Sequence, residues 1–345
     1  MVVETARRAM AEHATPALLR AAEDGAYPAA AWQAMTEAGL TLALVPEAAG
    51  GAGLPPVAGM AVLREAGACA LPLPLAETML AAWLAARAGL NVPDGSLIFA
   101  PVRADEVLNL SRGGDGWRLT GTATRLPWGR HAAAALVLAT HDGVPHLALV
   151  ARTAWTAEPG TSVAKEPRDT LHFTGPILAI APSPVDTALL RAYGAALRCQ
   201  QIAGALTRIT AMTTQYAQDR VQFGRPIGRF QAIQQNLAIL AGQTAAAIAA
   251  ADLAAEALSR PPAEAMLAIA AAKARAGEAA SIAPGIAHQV HGAIGFTVEH
   301  SLHFFTRRLW SWRDEFGKEG EWAALLGRHL AAQGADRLWA EITAA

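Results

Sequence analysis

The sequence predicts a mainly α-helical protein with a small β domain set into its middle. Three observations lead there. Alanine dominates an apolar fraction of 53%, against only 17% charged residues in 345, a balance that favours helices packed tightly through small side chains. Short β-type runs are confined to one central stretch. Long Ala/Leu/Ile-rich segments, broken by Gly and Pro, lie on either side of it. The length is ample to bury a core in one large domain or in two to three smaller ones.

The elements divide at about residues 95 and 186. Residues 1–95 read as an N-terminal helical domain in which Trp32, Met35 and Leu40 mark an apolar face. LTLALVPEAAGGAGLPP (40–56) is a buried segment running into a mobile Gly/Pro loop, and helices follow near 57–70 and 76–89. In residues 96–186 the runs SLIFAPV, EVLNLS, WRLTGT, AALVLAT, PHLALVA and LHFTGPILAI, separated by Gly, Asp and Pro turns, predict a small antiparallel sheet or barrel. Residues 187–345 return to long helices, with breaks at Gly224-Arg225-Pro226, Arg260-Pro261-Pro262, Pro284-Gly285 and Gly292 to Gly295.

Charge and cysteine content narrow the function. A formal net charge of −1 with scattered Lys and Arg gives no nucleic-acid footprint. Cys69 and Cys199 make no disulfide framework, and Cys199 in an apolar helix reads as a buried structural thiol. Arg7 and Arg8 are mixed with Glu4 and Glu12 and lead into no apolar leader, so a cytoplasmic location is expected. No run of ~18 strongly apolar residues without charge is found, so no membrane span is expected. His288, His291, His300 and His303 have metal-like spacing, but no Cys or Glu-x-x-His completes a site and no metal is expected.

The stretch DRVQFGRPIGRFQAIQQ (219–235) carries the most chemistry. It reads as a helix end, a Gly-Arg-Pro turn and a new helix, with a guanidinium at the break. Free N–H groups at a helix start and a nearby Arg suit an anion such as a pyrophosphate. Its Arg220-x-x-Phe223-Gly224-x-Pro226-Ile227 and Phe230-Gln231 closely resemble the "RxxFGxPI…FQ" motif of FAD-dependent acyl-CoA dehydrogenases. Gln289-Val290-His291-Gly292-Ala293-Ile294-Gly295-Phe296 resembles the family's "QxxGGxGY" turn, with Ala293 in place of one Gly. Pro46-Glu47 with Gly50-Gly51-x-Gly53 resembles its "PEexGGxG" loop. The resemblance covers essentially the whole chain. It implies an N-terminal helical domain, a middle β-barrel-like domain and a C-terminal four-helix bundle. It further implies that Arg220, Gln222, Phe223, Gln231, Gln289, Gly292 and Ala293 contact the FAD of a neighbouring subunit.

Other parts of the pattern are missing. Where the family has "TEPxxGSD", this chain reads Phe99-Ala100-Pro101-Val102-Arg103-Ala104-Asp105. Where it has "WIT", the chain has Arg125-Leu126-Pro127, with Trp128 close enough to substitute after a shift of register. These enzymes remove the α-proton of an acyl thioester with a glutamate whose pKa burial can raise. The usual position of that glutamate holds Phe316, and the position used by a minority of members holds Gly194. Glu315 is the fallback base. The segment from Arg307 to Gly317, rich in Arg, Trp and carboxylates, otherwise reads as an interface. The pattern resembles the smaller, non-catalytic subunit of heteromeric acyl-CoA dehydrogenases such as those acting on steroid side chains. That implies a paralogous partner with the base and acyl-CoA pocket, conversion of an acyl-CoA to its 2,3-enoyl-CoA, and an electron-transfer flavoprotein as acceptor. Two alternatives stand beside it: a self-sufficient homo-oligomer using Glu315, and a scaffold of the same fold without cofactor.

Overall fold

The computed structural model describes residues 2–114 and 116–343. Five helices come first: α1 (Val2–His13), α2 (Pro16–Glu23), α3 (Ala29–Glu37), α4 (Pro56–Ala68) and α5 (Leu75–Arg87). Strands β1 (Leu97–Ala100), β2 (Asn109–Gly113), β3 (Gly116–Pro127), β4 (Ala134–His141), β5 (Val144–Ala151), β6 (Trp155–Glu158), β7 (Arg168–Phe173) and β8 (Ala179–Pro182) follow. The chain then forms α6 (Thr187–Asp219), a small hairpin of β9 (Val221–Gln222) and β10 (Arg225–Pro226), and α7 (Gln231–Ala257). It ends with α8 (Pro262–His291), α9 (Leu302–Asp314), α10 (Glu319–Gln333) and α11 (Leu338–Thr343). Helices, sheet and helical bundle thus follow one another in the order the sequence predicts.

Local chemistry sets many boundaries. Thr15 caps α2 by accepting from the Leu18 N–H, with Pro16 in the first turn. Asp186 starts α6 the same way, through the Leu189 N–H at 2.7 Å. Asp142 and Gly143 both have positive φ (49° and 78°), so their two-residue turn suits the twist of the β4–β5 hairpin.

Several features differ from the sequence reading. The sheet runs β6-β7-β3-β2-β4-β5-β8 with β1 beside β4, and it is mixed: β1 and β2 both pair parallel with β4. Strand direction depends on how the chain crosses over, which short apolar runs do not record. The run LHFTGPILAI splits into the end of β7 and the start of β8, and β6 has no counterpart in the reading. No break falls at Pro284, because α8 passes straight through it; packing against α6 and α7 outweighs one lost backbone bond. The 46–53 loop is tied down, with Gly51 N–H on Pro46 O at 3.1 Å and Gly53 N–H on Val45 O at 2.8 Å. By length and composition α7 could cross a membrane, with a mean hydropathy of 1.6. A search for unbroken apolar runs misses it because Gln, Asn and Thr interrupt its small apolar residues.

The main apolar core surrounds α6, and a second one fills the sheet around Ile98, Leu119, Leu126, Trp155 and Phe173. Helices α4 and α6 cross so closely that both need glycine at the crossing. A Cβ on Gly204 would lie 1.9 Å from Arg64 O, and one on Gly67 would lie 2.1 Å from Gln201 O. Gly204→Ala should therefore cost ~1–3 kcal/mol in urea unfolding, as overpacking does. Gly242→Ala, on α7 with nothing within 4 Å, should be neutral or gain up to ~1 kcal/mol in the same measurement.

Candidate functional site

Helix α9 ends at Asp314, and the next three residues decide what this end of the molecule can do. Glu315 caps the helix, Phe316 has a φ of +57°, and Gly317 has a φ of +100° before α10 begins. Lys273 of α8 holds the turn by donating its Nζ to Gly317 O at 2.9 Å and Arg313 O at 2.5 Å. Burial pushes that ammonium down to about 8.

The Phe316 ring is buried. It stacks on Phe99 of β1 with centroids 5.6 Å apart and planes 20° apart, and the Arg198 guanidinium sits 5.5 Å from its centroid. It also lies directly against Gly194 of α6: a Cβ there would come within 2.5 Å of two ring carbons. Phe316 and Gly194, the two positions to which the sequence resemblance points for a base, are thus in contact, and neither carries a proton acceptor.

Glu315 sits between two arginines. Arg168 Nε donates to its Oε1 at 2.8 Å, Arg198 Nε to its Oε2 at 2.7 Å, and Ser311 Oγ to Oε1 at 2.9 Å. The network spreads from there. Arg198 also donates to Glu77 of α5 at 2.5 Å, Arg168 to Glu166 at 3.0 Å, and Arg308 of α9 to Glu166 at 2.9 Å. Burial alone would raise the Glu315 carboxyl, but Arg168 and Arg198 outweigh it and hold the group down at about 2. A carboxylate with that pKa and both oxygens occupied is a poor proton acceptor.

The residues assigned to a neighbour's FAD gather at the opposite end of the bundle. Helices α6, α7 and α8 alternate in direction, which brings the end of α6, the start of α7 and the end of α8 together. Tyr216 of α6 stacks on His291 of α8 at 4.5 Å. Arg220 caps α6, and its carbonyl accepts from the Ile227 N–H at 2.8 Å. Phe223 and Gly224 form the β9–β10 turn with φ of +50° and +75°, leaving the Phe223 ring 92% exposed. Gln222, Gln231, Gln289, Gly292 and Ala293 are exposed as well. From Arg198 to the end of α6 is 21 residues, or roughly 30 Å at 1.5 Å per residue. One flavin ring cannot touch both the Phe316 turn and this set.

A cleft of about 470 Å³ opens beside the Phe316 turn. Arg125 and Pro127 line it, but Trp128 does not. Trp128 is buried in the core of the sheet, edge-on to Tyr27 at 6.4 Å, so the shifted register that would aim it at a flavin is not the one adopted. Of the two tryptophans in the Arg307–Gly317 segment, Trp312 is core and Trp310 is exposed. Among the described residues no group of three His, Cys, Asp or Glu is placed to hold a metal. The sequence reading missed the roles of Glu77, Glu166, Arg168, Arg198, Arg308 and Lys273. The available signal was a lone charge inside an apolar helix, as in LAETMLAAW for Glu77 and AALRCQQ for Arg198.

Comparison with known proteins agrees with this architecture. Models of the acyl-CoA dehydrogenase N-terminal and C-terminal domains match residues 1–91 and 192–313. The acyl-CoA dehydrogenase IpdE2 of Mycobacterium tuberculosis is 35% identical over 323 residues, spanning 89% of each chain. The crystal structure of the ChsE4–ChsE5 complex from the same organism superposes with a TM-score of 0.88 at 25% identity, over 97% of each chain. The Tcur3481–Tcur3483 steroid ACAD gives a TM-score of 0.84 at 26% identity, over 96% of this chain and 97% of that one.

The buried network makes a direct prediction. Arg198→Met would strand the Glu77 carboxylate and leave Glu315 with only Arg168 and Ser311, and should cost ~3–5 kcal/mol in chemical unfolding. Because the Glu315 pKa is lowered in the fold, its contribution is complete above the ordinary value of 4.5 and is lost as pH falls from there through about 2. Unfolding free energy measured against pH should fall across that window, and Glu315→Gln should flatten the fall.

Proposed function

The chain belongs to the acyl-CoA dehydrogenase family, and from that premise we propose that it is the smaller, non-catalytic subunit of a heteromeric enzyme. One observation carries the reading: Phe316 packs into the space left by Gly194, so neither usual base position holds a proton acceptor. Relatives that form a two-chain complex or are described as a steroid ACAD point the same way and suggest a steroid side chain as the acyl group.

FAD is the cofactor, and the two ends of the chain differ in their fit to it. The bundle end suits a pyrophosphate, since Arg220, Gln222, Gln231 and Gln289 are exposed there beside the small residues Gly292 and Ala293. The cleft is lined by Val102, Arg103, Ala104, Asp105, Arg125 and Pro127 in place of the family's "TEPxxGSD" and "WIT" segments. In this reading the partner supplies the acyl-CoA pocket and the glutamate that takes the α-proton. FAD held there would supply the hydride-accepting chemistry of desaturation to a 2,3-enoyl-CoA, with an electron-transfer flavoprotein as the electron acceptor. This chain's residues bind and orient the far end of the partner's cofactor. The division at residues 95 and 186 and a cytoplasmic setting belong to the same proposal.

The self-sufficient alternative needs Glu315 as base, and the two arginines on its carboxylate oppose it. A scaffold without cofactor leaves the exposed set around Arg220 unexplained. The deciding experiment is FAD content by absorbance, for the chain alone and co-purified with its paralogous partner. Flavin should appear only in the complex, at about half per total chains. In that complex Arg220→Gln should lower FAD retention by at least about tenfold, whereas Glu315→Gln should lower stability and leave kcat unchanged. Stoichiometric FAD in the lone chain, bleached by an acyl-CoA, would overturn the proposal.

A further inference from the structure

The cleft beside Phe316 has features that a mere relic of a lost flavin site does not need. Its volume of about 470 Å³ falls within the roughly 300–1,000 Å³ of small-molecule sites. Val102, Pro127, Val163, Trp310 and Phe316 give it apolar and aromatic walls. Most of its charges are already matched: Arg103 pairs with Asp105 at 3.2 Å, Arg191 with Glu321 at 2.5 Å and Arg168 with Glu315 at 2.7 Å. Asp314 lies in the field of Arg313, which also pairs with Glu319.

Arg125 is the exception. It lines the cleft, and among the described residues it has no hydrogen-bond, carboxylate or aromatic partner. Its backbone is held in the left-handed region at a φ of +56°, within a bulge where the β3–β7 register shifts between Ala123 and Leu126. Glu106 braces that bulge, accepting from the Thr124 N–H at 2.7 Å and the Thr124 hydroxyl at 2.6 Å. Bulges re-aim side chains beside binding sites, and a left-handed non-glycine residue is strain that the surroundings must maintain. Phe316, on the cleft's inner wall, is left-handed too.

We propose that this cleft binds a small carboxylate carried on an apolar body, with Arg125 taking the carboxylate and Trp310 and Phe316 flanking the body. The site is separate from the bundle end that faces a partner's FAD, and it does not depend on the reading of that end. Arg125 suits the acid because its planar fork can donate two parallel hydrogen bonds to one carboxylate.

The test is isothermal titration of the full chain, alone and in complex with its partner, with 4-phenylbutyrate and with 4-phenylbutylamine. The two probes share a body and differ in charge. The carboxylate should bind at one per chain and at least about tenfold more tightly than the amine, the scale of one hydrogen bond to a charged group. Arg125→Gln should abolish that preference with an unchanged melting temperature. Arg125→Gly, which relieves the left-handed strain, should abolish it while melting no lower. Absence of saturable binding, equal affinity for the two probes, or a preference that survives both variants would overturn the inference. So would FAD displacing phenylbutyrate from the lone chain, since the cleft would then be a flavin site. FAD content of the complex is read without either probe, so the two proposals fail separately.

Discussion

The carboxylate of Glu315 is the point on which the rest of the structure turns. Arg198 comes to it from the long central helix and Arg168 from the sheet, and each arginine goes on to a second acid. Through Glu77 the network reaches the N-terminal helices, and through Glu166 and Arg308 it returns to α9. All three parts of the chain therefore meet in one set of buried charges. Such a set is expensive to desolvate and gains little over apolar packing, but it tolerates no missing member. It fixes where the α9–α10 turn sits, and so where the Phe316 ring must go.

That placement sets the Phe316 turn and the exposed Arg220 turn at opposite ends of α6. At the Phe316 end, an apolar ring fills the turn, and the neighbouring Glu315 carboxylate is committed to two arginines. At the other end, a tight turn with two left-handed residues presents Phe223 and its neighbours outward, with little packed over them. The length of α6 keeps the two ends from serving one ligand. A change in the packing at one end therefore need not disturb the surface presented at the other.

Much of this was legible in the sequence, and the limits follow physical lines. Helix-rich ends and a β-rich middle follow from composition and periodicity, because alanine-rich helices and β-branched runs differ locally. The Arg220 motif and the Gly292 turn are read directly, since each depends on neighbours a few residues away. Phe316 and Gly194 could be counted to, one at a time. Their contact could not, because they are 122 residues apart in sequence. The arginines of the network were passed over for the same reason: a charge in an apolar helix looks like an oddity until its partner is known. Strand direction, the Pro284 that does not break its helix, and the bulge at Arg125 all depend on tertiary packing that overrides local preference.

The fit of Phe316 against Gly194 also constrains what either position can become. A glutamate introduced at 194 would run into the ring, and a glutamate introduced at 316 would arrive beside Arg198, whose guanidinium now lies 5.5 Å from the ring centroid, and would be neutralised there. Neither single change leaves an unpaired carboxylate at that place. The two positions are sterically coupled: with the ring in the glycine's hollow, a larger residue at 194 needs a matching change at 316.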